Sequence, residues 1–215
     1  MKRLLLPISL LYSFVLFLRH KLYDWKILKS KSYNIPNICV GNLNLGGTGK
    51  TPHIEYLIRL LSDKYDTAVL SRGYGRKTQG YLLANDTHTH NDIGDEPLQY
   101  FTKFNNIKVA VDESRCEGME RLFQENKPPQ VVLLDDAYQH RKIKPGLNIL
   151  LTDYYSLYSD DHLVPAGNLR DIKKAAQRAE IIVVTKSPNV ITPYYRRDVE
   201  NKLKPLPHQK VFYSY

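Results

Sequence analysis

One stretch limits what this chain can fold into more than any other. Residues 37–52 read NICVGNLNLGGTGKTP. A β-branched run reaches Gly41, a glycine-rich turn leads into Gly49, Lys50 and Thr51, and a segment with helical apolar spacing follows. Strand, glycine turn and helix in that order are the setting of a phosphate-binding loop. Gly46, Gly47 and Gly49 let the N–H groups of the turn, that of Thr48 included, point inward around phosphate oxygens. The helix that follows adds its positive N-terminal end. Lys50 then stands to reach the β- and γ-phosphates of a nucleotide, and Thr51 to set its hydroxyl on Mg²⁺. Pro52, in the first turn, has no N–H to leave unpaired. The usual pattern, G-x-x-x-x-G-K-[ST], has a glycine where this chain has Asn44; Gly46 and Gly47 restore much of the flexibility.

The rest of the chain repeats the alternation. Short apolar or β-branched runs lie at 37–40, 67–70, 108–111, 131–134, 147–151, 181–184 and 211–215, with helix-like stretches near 52–63, 95–104, 114–125, 170–179 and 193–203. Continuous apolar strands alternating with amphipathic helices predict an α/β fold: a mostly parallel sheet flanked by helices, of the P-loop NTPase kind. The polar stretch NDTHTHND at 85–92 reads as a surface loop, with His88 and His90 solvated rather than metal-bound.

In such sheets ligands gather at the carboxyl ends of the strands. The run QVVLLDD ends in Asp135 and Asp136, and an acid at that place holds Mg²⁺ directly or through water. Neighbouring side chains on an extended strand point to opposite faces, so one of the two would face the metal unless the strand has already ended. Three further clusters sit at strand ends: Ser71-Arg72-Gly73-Tyr74-Gly75-Arg76, Gly94-Asp95-Glu96-Pro97 and Ala137-Tyr138-Gln139-His140-Arg141. Arg72, Arg76 and Arg141 are planar multidentate donors suited to phosphate. Asp95 also reads as an N-cap for a helix opening at Glu96 and Pro97.

The net charge of +9 invites a nucleic-acid reading, but its distribution opposes one. Residues 1–31 carry Lys2, Arg3, Arg19, Lys21, Lys26, Lys29 and Lys31 against the single acid Asp24, so most of the excess lies there. Between those cations runs LLLPISLLYSFVLFL, Leu4 to Leu18, without a charge. As a helix it would be about 22 Å long, short of a hydrocarbon core of about 30 Å. No small-residue cleavage site follows, which disfavours a secretory signal. The pattern predicts a helix lying in or dipping into a bilayer, its flanking cations on anionic headgroups; a buried core helix is the alternative. The expected division is thus a membrane-associated segment 1–31 and a P-loop core 32–215. Cys39 and Cys116 cannot build a disulfide framework or a four-cysteine zinc site, which fits a cytoplasmic setting.

Taken together, these residues resemble the tetraacyldisaccharide 4′-kinase family, the lipid A 4′-kinases of Gram-negative bacteria. The resemblance runs through LLYSFVLFLRHKLYD, NICVGNLNLGGTGKTP with the same missing first glycine, SRGYGR, GDEP, LLDDAYQHR, LLTDY, LVPAGNLRD and VVTKSP. It implies transfer of the γ-phosphoryl group of ATP, with Mg²⁺, to the 4′-hydroxyl of a lipid-linked glucosamine disaccharide. The implied place is the cytoplasmic face of the inner membrane, peripheral or monotopic, with a lipid A precursor as substrate, an anionic membrane surface as partner, and neither nucleic acid nor an obligate protein partner. Carried across by motif, Asp95 is the carboxylate that helps deprotonate the acceptor. Lys50, Asp136 and His140 join it in the active site, and Thr51, Asp135, Asp136 and Glu96 are on the metal side. Arg72, Tyr74, Arg76, Arg141, Arg170 and Asp171 are implied on the acceptor side, Asp171 standing where the family often has Glu. The family also carries a histidine in a later segment, and none of the seven histidines here matches it. That leaves two expectations open: a piece of a longer protein, or a shortened frame that keeps ATP binding at the expense of turnover. A competing class is a membrane-associated P-loop NTPase switch that binds a protein partner; such proteins often carry a lysine just before the glycine pair, where this chain has Leu45. Lys186 in VVTKSP, also after a strand, is a minor candidate for the nucleotide-base region.

Overall fold

The computed structural model of the chain describes residues 5–215. In chain order its elements are α1 (Leu6–Asp24), β1 (Asn37–Asn42), α2 (Lys50–Leu61), β2 (Thr67–Ser71), β3 (Leu82–Leu83), α3 (His90–Ile93), α4 (Asp95–Lys103), β4 (Ile107–Val111), α5 (Arg115–Gln124), β5 (Val131–Asp135) and β6 (Leu147–Asp153). A 3₁₀ helix (Lys173–Arg178), β7 (Ile181–Thr185), α6 (Pro193–Leu203) and β8 (Lys210–Tyr213) complete them. The strands pair mostly in parallel, as the alternating pattern predicts. All seven apolar runs read as strands are strands. The pair β3 is too short for any periodicity to announce it.

The chain divides into two compact units. The first comprises Ser30–Val40 and Lys50–Leu147. Its strands lie in the order β3-β4-β2-β5-β1, with β3 alone antiparallel. β2 and β5 are buried at every position and β4 at its last three, as parallel strands covered on both faces must be. α2 packs on β5, α4 on β4, and α5 on β2 and β4. The register sets Leu70 beside Leu134, Ser71 beside Val111, and Val40 beside Asp135. The polar residues that follow these strands therefore emerge along one edge.

The second unit comprises the segment through Lys29, Gly41–Gly49 and Asn148–Tyr215. Its strands β6, β7 and β8 are parallel neighbours. The helix expected over 170–179 is here the shorter 3₁₀ turn Lys173–Arg178. The backbone at Arg170 is committed elsewhere, its N–H donating to Leu43 O at 2.8 Å. In the first unit, the polar stretch 85–92 ends in α3, whose start is held by the Asp92 carboxylate accepting from the Thr89 N–H and hydroxyl at 2.8 and 2.7 Å.

α1 covers most of the apolar stretch, with Pro7 in its first turn as expected; Lys2, Arg3 and Leu4 lie outside the described residues. Its burial is inside out. Ser9, Leu16, His20 and Tyr23 are buried, one inward stripe at spacings of three, four and seven. Ser9 Oγ donates to Leu163 O (2.9 Å) and accepts from the Ala166 N–H (3.0 Å). Ile8, Leu10, Leu11, Phe14, Val15, Phe17 and Leu18 are exposed. A core helix does the reverse, so the buried-helix alternative does not describe α1. Among the described residues no helix is long and apolar enough to cross a membrane.

Candidate functional site

The glycine turn belongs to the second unit. Gly46 and Gly49 adopt φ of 110° and 83°, backbone that L side chains rarely enter, so these two positions require glycine. Asn44 needs none: it forms an antiparallel bridge with Leu169, and its side-chain amide donates to Asp161 Oδ2 at 3.3 Å. That explains the missing first glycine, because a side chain is used there. Asn42, buried at the end of β1, donates through Nδ2 to Thr48 Oγ1 at 2.8 Å and lies 3.4 Å from Gly46 O. Arg170 Nη2 donates to Asn42 Oδ1 at 2.5 Å. Asp171 is 1% exposed, 2.6 Å from His20 Nε2 and 3.6 Å from Arg178 Nη2. The Asp171 carboxylate faces inward and is engaged by these two side chains. Lys186 pairs with Asp153 at 2.7 Å within the same unit.

In the first unit α2 opens at Lys50, and a second cluster assembles from its first residues, the start of α4 and the end of β5. Lys50 Nζ stands 3.9 Å from Asp136 Oδ2. Thr51 Oγ1 donates to Glu96 Oε1 at 3.1 Å. Asp135 is fully buried; its Oδ2 accepts from Ser71 Oγ at 3.2 Å and lies 3.5 Å from the Tyr100 hydroxyl. Asp135 Oδ1 is buried with no hydrogen-bond partner among the described residues. Burial pushes the Asp135 carboxyl up to about 7, Glu96 and Asp136 adding to the rise while Arg115 and Lys50 oppose it.

β5 ends at Asp135, and Asp136 adopts φ 48°. This left-handed step, costly for a residue with a Cβ, turns the chain so that strand alternation no longer separates the two acids. One serves the buried end of the site and the other faces Lys50. Three hard-oxygen carboxylates and a hydroxyl close to a lysine suit Mg²⁺ and phosphate, since Mg²⁺ takes one or two carboxylates and leaves its other positions to water and phosphate. Among the described residues no group of three His, Cys, Asp or Glu is arranged to hold a metal unaided.

Around this cluster the strand-end loops take distinct places. α4 begins at Asp95 with Gly94 as its N-cap, and no side chain caps it. The capping role read for Asp95 is thus replaced: Asp95 is in the first turn, exposed, with Glu96 behind it. Gly94 has φ 90°, and a Cβ there would lie 2.8 Å from Tyr74 O and 3.1 Å from the Gly73 carbonyl carbon. We expect Gly94→Ala to lower the melting temperature by several degrees and to reduce any Asp95-dependent activity, because strain and clash both displace the start of α4. An unchanged melting curve would overturn this.

Arg72 and Tyr74 are exposed on the same turn, Tyr74 at 87%. Arg76 is different: its side chain is 2% exposed, paired with Glu113 at 2.5 Å and donating to Gly80 O at 2.7 Å. These contacts hold the 71–80 loop. His140 and Arg141 lie half-buried on the turn after Asp136. Sequence reasoning missed Arg115, which is nearly buried and donates to Asp112 O and Asp135 O at 2.7 and 3.0 Å, so fixing the end of β5. It also missed Tyr100, which has no motif, and it assigned no role to Ser71 or Asn42, which lie inside SRGYGR and NICVGNLNLGGTGKTP.

Residues 1–211 match the family model for tetraacyldisaccharide-1-P 4′-kinase. A tetraacyldisaccharide 4′-kinase of Bacteroides thetaiotaomicron is 52% identical over 211 residues, covering 98% of this chain and 56% of the relative. That of Flavobacterium johnsoniae is 49% identical over 215 residues, covering all of this chain and 63% of the relative. The chain thus spans little more than half the length of the curated relatives it matches. Among solved structures, LpxK from Aquifex aeolicus in complex with ATP superposes with a TM-score of 0.80 at 31% identity, over 100% of this chain and 81% of that one.

Proposed function

The chain belongs to the tetraacyldisaccharide-1-P 4′-kinase family, and from that premise we propose that it takes part in ATP-dependent phosphorylation of the 4′-hydroxyl of a lipid A precursor. The observation that carries the reading is the cluster of Lys50, Thr51, Glu96, Asp135 and Asp136 at the first turn of α2. Phosphoryl transfer needs mainly positioning and charge neutralisation, and this set supplies both. In this reading the Lys50 ammonium holds the β- and γ-phosphates. Thr51, Asp135 and Asp136 hold Mg²⁺, with Glu96 oriented on Thr51. Bound there, Mg²⁺ would supply charge neutralisation between the phosphates. Asp95, exposed at the start of α4, accepts the proton of the acceptor hydroxyl, for which general-base assistance is worth on the order of 10²–10⁴. Arg72, Tyr74, His140 and Arg141 meet the sugar phosphate in this reading; their lying on the turns after β2 and β5 supports it.

The partner surface we propose is an anionic membrane, met by the outward apolar face of α1 and by Arg19, Lys21, Lys26 and Lys29; the place is the cytoplasmic face of the inner membrane. This suits an acceptor whose acyl chains stay in a bilayer. The reading is tested by following transfer of γ-phosphate from labelled ATP to a tetraacyldisaccharide 1-phosphate in detergent or vesicles, with Asp95→Asn as the comparison. Equal transfer by that variant would remove Asp95 from its role.

A pH dependence follows from Asp135. Its folded carboxyl titrates near 7 against an unfolded value near 3.8, so the folded state holds the extra proton between those values. Stability contributed by this group is therefore full below about pH 4 and is lost as pH rises through about 7. Mg²⁺ needs the ionised form, so binding of Mg²⁺ with ATP should strengthen over the same rise. We expect the increase in melting temperature on adding both to be larger at pH 8 than at pH 6, and the difference to shrink in Asp135→Asn. A pH-independent increase in the parent chain would count against Asp135 as a metal-side group.

A further inference from the structure

α1 reaches the glycine turn through buried polar groups, and stability does not account for them. His20 and Asp171 are 8% and 1% exposed and 2.6 Å apart. A carboxylate only accepts, so the bond places a proton on His20 Nε2. Asp171 Oδ1 also accepts the Ile172 N–H at 2.8 Å, and Arg178 lies 3.6 Å from Oδ2. Burying such a group is at best neutral against a well-packed apolar substitute. α1 has apolar residues in abundance, yet it turns them outward and keeps Ser9, Tyr12 and His20 on the inward side.

What these groups hold is the segment Leu163–Asp171. Ser9 binds its start, Tyr12 Oη donates to Arg170 O at 3.4 Å, and His20 holds its end. The other side of that segment is bonded to the residues that lead into the glycine turn. Leu45 N–H donates to Asn168 O at 2.6 Å, Arg170 N–H to Leu43 O at 2.8 Å, and the Arg170 guanidinium to Asn42 Oδ1 at 2.5 Å. Asn42 in turn donates to Thr48 Oγ1.

We propose that His20 is a positioning residue: through Asp171, Arg170 and Asn42 it sets the glycine turn Gly46–Gly49 in the shape that receives phosphate. It touches no ligand itself. α1 is thereby part of the nucleotide site's support as well as the segment proposed to meet the membrane. The inference rests on the reading of that turn as phosphate-binding, so its test separates the two.

The full chain is titrated with ATP and Mg²⁺ by calorimetry, and hydrogen exchange at the amides of 46–49 is followed without nucleotide. His20→Leu is expected to weaken ATP binding about tenfold and to speed exchange at the turn. His20→Gln, which returns an N–H at similar reach, should stay within about threefold of the parent. Asp171→Ala removes the acceptor of the His20 bond and should resemble His20→Leu; it also serves if His20→Leu folds poorly. A merely structural role would lower the melting temperature of His20→Leu while leaving ATP affinity and turn exchange unchanged, and that result overturns the proposal. If Lys50→Ala binds ATP like the parent, the phosphate-binding reading fails. Faster exchange at 46–49 in His20→Leu would then still uphold the positioning of the turn, and its absence would overturn that as well.

Discussion

Lys50→Ala is expected to lower phosphoryl transfer by on the order of 10²–10⁵-fold while leaving the fold in place. The size follows from the chemistry: removing a single preorganised charge or donor from a transferring phosphoryl group or oxyanion costs on the order of 10²–10⁵. Preservation of the fold follows from the contacts. The ammonium makes only a loose 3.9 Å approach to Asp136 and is largely shielded from solvent. A side chain placed for stability would be tightly paired; this one is held near an acid and left able to meet another anion. A second consequence sharpens the test. Lys50 is one of the two cations that restrain the upward shift of the Asp135 carboxyl. Without it that carboxyl should titrate higher still, so the residual activity of Lys50→Ala should have its acid limb displaced to higher pH. Turnover comparable to the parent, with an unmoved pH profile, would refute the assignment of Lys50 and with it the phosphate-site reading.

The parts of this site that were legible in the sequence are those fixed by local chain chemistry. A glycine turn between a strand and a helix is contiguous, so 37–52 announced itself. The carboxyl ends of β2 and β5 were legible because parallel register brings such ends to one edge. What was not legible depends on long-range partners or on single dihedral angles. Nothing in the run LLDD says that Asp136 takes a positive φ, and that angle decides where the two acids face. Asp95 reads as a good N-cap, yet Gly94 takes the cap because it also packs against the 71–76 turn. Residues 170–179 have helical composition, but Arg170 and Asp171 are claimed by Asn42 and His20, some 130 to 150 residues earlier in the chain. Arg115 and Arg76 look like surface cations and are both buried, which only their tertiary partners explain. The apolar run 4–18 was legible as a helix; its inverted burial was not, because Ser9, Tyr12 and His20 look incidental until their partners in 163–171 are known.

That inversion also determines how membrane attachment should be tested. Deleting residues 1–20 would release the chain from vesicles if α1 docks there, but it would also remove Ser9, Tyr12 and His20 and so loosen 163–171. Substituting the outward face alone is the cleaner experiment. Leu11→Ser combined with Phe14→Ser leaves the inward hydrogen bonds intact and replaces two side chains that are 67% and 62% exposed. Full burial of each in an apolar phase is worth about 1.5–3 kcal/mol, so losing both should weaken binding to vesicles containing anionic lipid by about a hundredfold or more. The cations contribute separately, at about 1 kcal/mol each near such a surface, and that part alone should fade with added salt. The double variant should therefore keep the salt dependence of the parent at a much lower affinity, whereas Lys26→Ser with Lys29→Ser should lose less affinity and show a weaker salt dependence, since Arg19 and Lys21 remain. Soluble ATP binding should be unchanged in Leu11→Ser/Phe14→Ser, since neither residue supports the glycine turn. If both pairs bind vesicles as the parent does, the outward face of α1 is not a lipid surface, and another partner must cover it.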